Sequence, residues 1–220
     1  MGDEGVVFSG VDGVPVAREH ALLPLRREDL QADPVALFDS WLKEASDLPL
    51  ANAVVLSTVG DHGMPSSRVV LLKDHDTTGF TIFTNYESRK GCELDTNPAC
   101  SLLFWWRPHV RQVRIEGHAS RLSPEASDAY FASRPRGSRI GAWASPQSRP
   151  IADRAELMER VDACEEEFAD GPVARPDHWG GYCIVPQRFE FWQGGRDRLH
   201  DRFVYTRQDD GSWQIERLAP

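Results

Sequence analysis

Between residues 52 and 122 the chain repeats one pattern, a short apolar run rich in β-branched residues followed by turn residues. "NAVVLSTV" (52–59) ends in "GDHGMP", "SRVVLLK" (67–73) ends in "DHDTTG", and "FTIFTN" (80–85) follows. After a stretch with helical character, "ESRKGCELDTN" (87–97), the pattern resumes in "ACSLLFWW" (99–106) and "VRQVRIEGHASRL" (110–122), joined by Arg107-Pro108. Strands this short, tied by hairpin turns, pair antiparallel. In the last run Val113 and Ile115 alternate with Gln112, Arg114 and Glu116, which gives the strand one apolar and one polar face. Helices flank the set. Asp33-Pro34 supplies an N-cap and a proline at the first helical position, and Leu37, Phe38, Trp41, Leu42 and Ala45 follow at helical spacing to about Ser46. Ser123-Pro124 opens a second helix carrying Ala129, Tyr130 and Phe131, which stops before Pro135; a third covers about 153–169, with Leu157, Val161 and Phe168 on one stripe. Strands at 182–185, 188–193 and 198–206, then the turn "DDG" and "WQIERL", close the chain. Residues 1–32 are rich in glycine and charge without a period and read as a flexible N-terminal arm. The expected fold is therefore mainly β with α: one domain over 33–220, built as an antiparallel, Greek-key-like barrel with peripheral helices.

Charge narrows the partners. The formal charge is −9, which argues against a nucleic-acid backbone as ligand. No apolar run approaches the roughly 20 residues of a membrane helix, so no membrane partner is expected. The start "MGDEGVVFSG" has neither the basic nor the apolar region of a secretory signal, and Val6 stands where a myristoylation pattern wants Ser or Thr. Cys92, Cys100, Cys164 and Cys183 form no CxxC pair and no His cluster has metal-ligand spacing, so reduced thiols, a cytoplasmic location and no metal site are expected.

Against that acidic background four basic clusters stand out. In "SRVVLLK", Arg68 and Lys73 bracket Val69, Val70, Leu71 and Leu72. In "TNYESRKG", Arg89 and Lys90 open a helix, where backbone N–H groups favour an anion. The stretch "YFASRPRGSRIGAWASPQSRP" (130–150) holds Tyr130, Arg134, Arg136, Ser138, Arg139, Gln147 and Ser148, a mixture of planar cations and hydroxyls suited to phosphate. Finally, in "EFWQGGRDRLHDRF" (190–203), strand alternation puts Arg198, His200 and Arg202 on one face. Taken singly, each fits a solvated strand end or loop. Four together exceed what one phosphate needs and suit two phosphate-bearing ligands, a cofactor and a substrate. There is no GxGxxG or GxxxxGK[ST] loop, and spacing supports no Ser–His–Asp or Cys–His arrangement. Trp105, Trp106, Trp143 and Trp192 are either core or platforms for a planar ring.

"RVVLLK", "FTNYESRKG", "ELDTNP", "RQVRIEG", "YFASRPRGSRIGAWASPQS", "WGGY", "EFWQGGRDRLHDR" and the terminal "ERLAP" resemble the pyridoxamine 5′-phosphate oxidase family, from about Asp33 to Pro220. The resemblance implies an FMN-binding split β-barrel and a homodimer with FMN at the subunit interface. It implies that Arg68, Arg89, Lys90 and Ser148 contact the FMN phosphate. The "RVVLLK" run (Val69, Val70, Leu71, Leu72, Lys73) and Phe83, Thr84, Gln112, Gln147, Trp192 and Arg202 would line the rest of the flavin. Lys73, Tyr130, Arg134 and Ser138 would hold a substrate phosphate, with Arg198 and His200 against the substrate ring as the residues nearest the chemistry. The implied reaction oxidises the C4′ amine or alcohol of a vitamin B6 phosphate, by hydride transfer to flavin N5 and reoxidation by dioxygen to give hydrogen peroxide.

Two places depart from the family pattern. An Arg-x-x-Tyr pattern common in the arm falls here on Ala17 and His20, and an acidic residue and proline before the first strand are replaced by Leu50 and Ala51. Both lie on the substrate side. Pathway-specific relatives such as the phenazine-biosynthesis oxidases usually lose the substrate-phosphate set, which this chain keeps. Two other readings are a non-catalytic flavin- or pyridoxal-phosphate-binding protein, which the intact Arg198 and His200 oppose, and a split-barrel reductase, which the complete FMN-phosphate set opposes.

Overall fold

The computed structural model describes residues 23–169 and 171–220. They form two compact units, one from residues up to Ala51 with Phe104–Val113 and Glu190–Pro220, the other from Asn52–Leu103 and Arg114–Phe189. In chain order the elements are α1 (Pro34–Glu44), β1 (Ala53–Val59), β2 (Pro65–Leu71), β3 (Asp74–Asp76), β4 (Gly79–Asn85), α2 (Arg89–Thr96), β5 (Ala99–Trp106) and β6 (Arg111–Arg121), then α3 (Pro124–Ser133), α4 (Arg136–Ala144), α5 (Arg154–Phe168), β7 (Trp179–Gln193), β8 (Asp201–Arg207) and β9 (Trp213–Leu218). The strand order is β2-β1-β5-β6-β7-β4-β3, with β8 pairing β7 and β9. The β1–β2, β1–β5, β3–β4, β4–β7 and β8–β9 ladders are all antiparallel, as the hairpin pattern predicts.

In the larger unit the register does the positioning. Val54, Leu56 and Thr58 of β1 are buried and alternate with half-buried neighbours. Leu56 lies opposite Arg68 and Thr58 opposite Ser66. Directly opposed residues share a face, so Arg68 and Ser66 project on the same side as the buried Thr58. Helix α2 then brings its own cations. Buried Ser88 caps it by accepting from the Gly91 N–H, and Asn85 accepts from the Glu87 N–H (2.7 Å). Arg89 and Lys90 are therefore its first two residues. A Cβ on Gly91 would meet the Tyr86 carbonyl oxygen at 2.1 Å, so only glycine lets the helix start this close to the preceding turn.

In the smaller unit Asp33 caps α1 by accepting from the Val35 N–H at 2.9 Å. Fully buried Phe38 packs edge-on against Phe104 at 4.9 Å, and Trp41 against Phe191 at 5.3 Å. The part of the arm within the described residues is held in place. Leu25 is buried and donates its N–H to the Asp201 carboxylate (3.0 Å), and the Gln31 carbonyl accepts from the Tyr205 hydroxyl (2.8 Å). Ala17 and His20 lie outside the described residues. Leu50 is exposed, with φ +54°.

Several sequence expectations need correcting. The runs 182–185 and 188–193 are one strand, β7, because the residue before Pro186 is biased to extended geometry and the chain continues through it. Residues 136–144, to which the sequence pattern assigns no element, form α4. The presumed turn "DHDTTG" contains the short strand β3. Most consequential, Arg198 is not on a strand. Residues Arg196–Arg198 form a 3-10 turn in which Asp197 (φ +56°) and Arg198 (φ +62°) are left-handed, and β8 begins only at Asp201. Alternation therefore does not place Arg198, His200 and Arg202 on one face.

Gly91→Ala is expected to lower the urea midpoint of unfolding, at the upper end of the about 1–3 kcal/mol that overpacking costs, because the clash is with backbone and no side chain can swing away.

Candidate active site

The larger unit contains a cavity of about 830 Å³, lined by Ser66 to Leu71 of β2, Lys73, the end of β4 (Phe83, Thr84, Asn85), Arg89 and Lys90 of α2, Arg134, Ser138, Gly141, Ala142 and Ser145 in and around α4, then Gln147, Ser148 and Trp179. Ser148 sits there in a left-handed conformation (φ +72°).

Its cations are held unequally. Arg68 Nη1 donates to the Leu56 carbonyl (3.2 Å) and Thr58 Oγ1 (2.6 Å), and its Nη2 reaches Ser66 Oγ and Glu93 Oε2 (3.3 Å). Arg89 Nε donates to Glu93 Oε1 at 2.8 Å. Lys90 differs. It is buried, and its Nζ donates to Thr84 Oγ1 (3.0 Å), Ser88 Oγ (3.1 Å) and Gln147 Oε1 (3.3 Å), all neutral oxygens. Burial, with Arg68 nearby, pushes its pKa down to about 8. Burial also lowers the pKa of Arg68, against the pull of Glu93. Arg134 has its guanidinium over the Trp179 ring at 4.4 Å, and its Nη1 is buried without a hydrogen-bond partner. Burial lowers the Arg134 pKa, partly offset by Tyr130. A buried donor without an acceptor costs about 1–3 kcal/mol. Lys90 and Arg134 are thus cations in want of an anion.

Of the residues singled out from the sequence, the cavity gathers Arg68, Val69, Val70, Leu71, Lys73, Phe83, Thr84, Arg89, Lys90, Arg134, Ser138, Gln147 and Ser148. Leu72 does not line it; its side chain is buried and its N–H donates to the Asn52 carbonyl. Tyr130 stacks on Phe83 (3.8 Å, 14°) and faces a neighbouring cavity of about 410 Å³ that shares Lys73 and Phe83. Arg136, in the same basic stretch, turns away to Glu165 (3.4 Å) and the Gly171 carbonyl (2.8 Å).

Gln112, Trp192, Arg198, His200 and Arg202 belong to the smaller unit. There the His200 ring packs on Trp192 at 4.5 Å and its Nδ1 accepts from the Gly195 N–H (3.1 Å). Arg202 pairs with buried Glu190 (2.8 Å) and donates to the Ala219 carbonyl (2.9 Å). Trp106 is core, donating to the Ala51 carbonyl, and Trp143 donates to the Ala174 carbonyl.

Sequence reasoning missed Glu93, Thr58, Ser66 and Trp179. Glu93 is legible only as the residue four after Arg89 on a helix; Thr58 and Ser66 need the β1–β2 register.

Comparison with known proteins agrees with this geometry. A family model described as Pyridoxamine 5′-phosphate oxidase matches residues 43–166, and one described as Pyridoxine 5′-phosphate oxidase C-terminal dimerisation region matches 179–220. A protein of Cupriavidus pinatubonensis named pyridoxine/pyridoxamine 5′-phosphate oxidase is 51% identical over 205 residues, covering 92% of this chain and 96% of its own. One of the same name from Burkholderia lata is 54% identical over 200 residues, covering 89% and 93%. Among solved structures, PhzG from Burkholderia lata 383 in complex with tetrahydrophenazine-1-carboxylic acid superimposes with a TM-score of 0.84 at 29% identity, covering 91% of this chain and 100% of that one. The fold is that of a split barrel, and the chain belongs to the pyridoxamine 5′-phosphate oxidase family.

Proposed function

We propose that the protein is an FMN-dependent oxidase that converts pyridoxamine 5′-phosphate or pyridoxine 5′-phosphate to pyridoxal 5′-phosphate, working as a cytoplasmic homodimer. The observation that carries this is the pairing, in one cavity, of two separate groups of under-compensated cations. One comes from β2 and α2 (Arg68, Arg89, Lys90), the other is Arg134 at the α3–α4 junction, with Ser138 of α4 and Lys73 just beyond β2. One phosphate leaves one group unsatisfied; a phosphorylated cofactor and a phosphorylated substrate satisfy both. A volume of about 830 Å³ lies within the usual range for ligand sites.

The residues present fit FMN. Lys90 lies buried among neutral oxygens, and Arg68 and Arg89 are fixed by Glu93 with Ser148 beside them, a donor set suited to a dianionic phosphate. Gln147 and Thr84 add polar atoms; Phe83 and the β2 edge from Val69 to Leu71 supply apolar wall. When bound, FMN takes the two electrons removed at C4′ of the substrate and passes them to dioxygen. The chain's own part is positioning. Trp179 fixes the plane of Arg134 and leaves Nη1 to bind the substrate phosphate, with Ser138, Lys73 and Tyr130 as further donors. Arg198 and His200 are assigned to orienting the substrate ring, and Gln112, Trp192 and Arg202 to the flavin. The match to a dimerisation region supports the homodimer, and four free thiols suit a reducing compartment. Among the described residues no helix is long and apolar enough to cross a membrane.

A pathway-specific oxidation of another molecule is the second reading, favoured by the close superposition on PhzG. Identity of 54% to the Burkholderia lata relative named for B6 phosphates, against 29% to PhzG, weighs for the first.

The purified protein is expected to show a flavin spectrum and, on addition of pyridoxamine 5′-phosphate, to release peroxide and form pyridoxal 5′-phosphate. A flavin spectrum with no turnover of either B6 phosphate moves the substrate to the second reading. Arg134→Ala is expected to lower kcat/KM for pyridoxine 5′-phosphate roughly ten- to hundredfold, the value of a hydrogen bond to a charged group, while FMN affinity stays unchanged. Arg198→Ala is expected to lower turnover with flavin binding retained; normal turnover in that variant removes its assigned role.

The Lys90 pKa of about 8 sets a pH dependence. In the free protein the ammonium loses its proton near that pH, whereas a bound phosphate favours the charged form. Binding then takes up a proton above pH 8, and affinity falls as pH rises. Flavin fluorescence titrations are expected to show FMN affinity dropping by about tenfold between roughly pH 7 and 9.5, with a flat profile in Lys90→Met.

A further inference from the structure

Glu93 does not itself line the cavity, yet its carboxylate holds two of the cations that do, Arg68 and Arg89, though a negative charge so near opposes any bound anion. Its side chain is only 10% exposed. Oε1 accepts from Arg89 Nε at 2.8 Å, and Oε2 accepts from Thr58 Oγ1 (2.5 Å), Ser66 Oγ (2.6 Å) and Arg68 Nη2 (3.3 Å). One carboxylate thus fixes two guanidinium groups from different elements, one on β2 and one on α2. The Thr58 hydroxyl couples the two hydrogen-bonding systems, since it accepts from Arg68 Nη1 and donates to Glu93. Burial works to raise the Glu93 pKa, but hydrogen bonds from Ser66, Thr58 and Arg89 outweigh it and hold the group at about 2. The carboxylate is ionised at every working pH and offsets the mutual repulsion of Arg68, Arg89 and Lys90.

We infer that Glu93 is a positioning residue that aims Arg68 and Arg89 at the phosphate of the flavin, so that selection of FMN over riboflavin, its phosphate-free counterpart, depends on it. The inference rests on the FMN reading given above. Its chemistry is specific to a carboxylate. Glutamine keeps the size but offers one acceptor oxygen and one donor group. Whichever way its amide turns, a donor faces either Arg89 Nε–H or Arg68 Nη2–H. The hydroxyls of Thr58 and Ser66 can rotate to accept; a guanidinium cannot.

The test uses the full chain freed of flavin, wild type and Glu93→Gln, titrated with FMN and with riboflavin by fluorescence. In the variant FMN affinity is expected to fall roughly ten- to hundredfold, the effect of leaving a buried donor unsatisfied, while riboflavin affinity stays within about twofold. Equal loss for both flavins means that Glu93 merely supports the fold and overturns the role. No loss for either overturns it too. A wild type that binds both flavins equally overturns the phosphate reading of the cavity itself, and the role of Glu93 with it.

Discussion

A lysine ammonium buried among neutral oxygens is the constraint around which the larger unit is arranged. Taking such a charge out of water costs several kcal/mol even after relaxation, and Thr84, Ser88 and Gln147 return only part of that through hydrogen bonds. The fold keeps Lys90 there because α2 starts directly behind it. Ser88 both caps the helix and accepts from Nζ, so the capping residue and the charge are held by the same hydroxyl. Gly91 is required at the next position because the helix presses on the Tyr86 carbonyl. A charged pocket is thus written into the way one short helix begins.

The second half of the arrangement is sheet register. Arg68 reaches the pocket because β1 and β2 pair with Leu56 opposite it and Thr58 opposite Ser66. A slip of one residue turns Arg68 to the other face and separates it from Glu93. Val54 and Leu56, buried on β1, fix which face of β1 points inward, and the observed pairing puts Val70, Arg68 and Ser66 of β2 on that same face. Hydrophobic burial on one face of β1 therefore fixes the geometry of a polar site on its neighbour, and the core and the site are a single energetic problem.

Which parts of this were legible in the sequence follows from the range of each interaction. The strand runs at 52–59, 80–85 and 99–106 and the caps Asp33 and Ser123 are set by neighbours within a few residues, and the structure places them close to expectation. The cations of "RVVLLK" and "ESRKG" were visible as residue types, but Glu93 was not, because its importance comes from partners on β1 and β2. Helix α4 was hidden by Gly137, Ser138 and Gly141, poor helix formers that tertiary packing of Ile140 and Ala144 overrides. The comb Arg198, His200 and Arg202 misled for the opposite reason. Its alternation imitates a strand, yet Gly195 admits the Leu199 carbonyl so closely that a Cβ would lie 2.0 Å from it, and the chain turns back there.

The acidity of the chain and the basicity of its cavity are compatible because they act over different distances. Exposed carboxylates such as Glu159, Asp162, Glu165, Glu166 and Glu167 on α5 are screened beyond about 8 Å at physiological salt. Inside the cavity Lys90 and the Nη1 of half-buried Arg134 are shielded from water, and their attraction for an anion is correspondingly stronger. A polyanion such as a nucleic acid must approach across the acidic surface with all its charges in solvent, where repulsion accumulates. A small phosphate ester meets that surface with a single charged group and then gains the buried cations. Net charge and local charge together therefore select for size as well as sign, and admit the class of molecule that the cavity is shaped to hold.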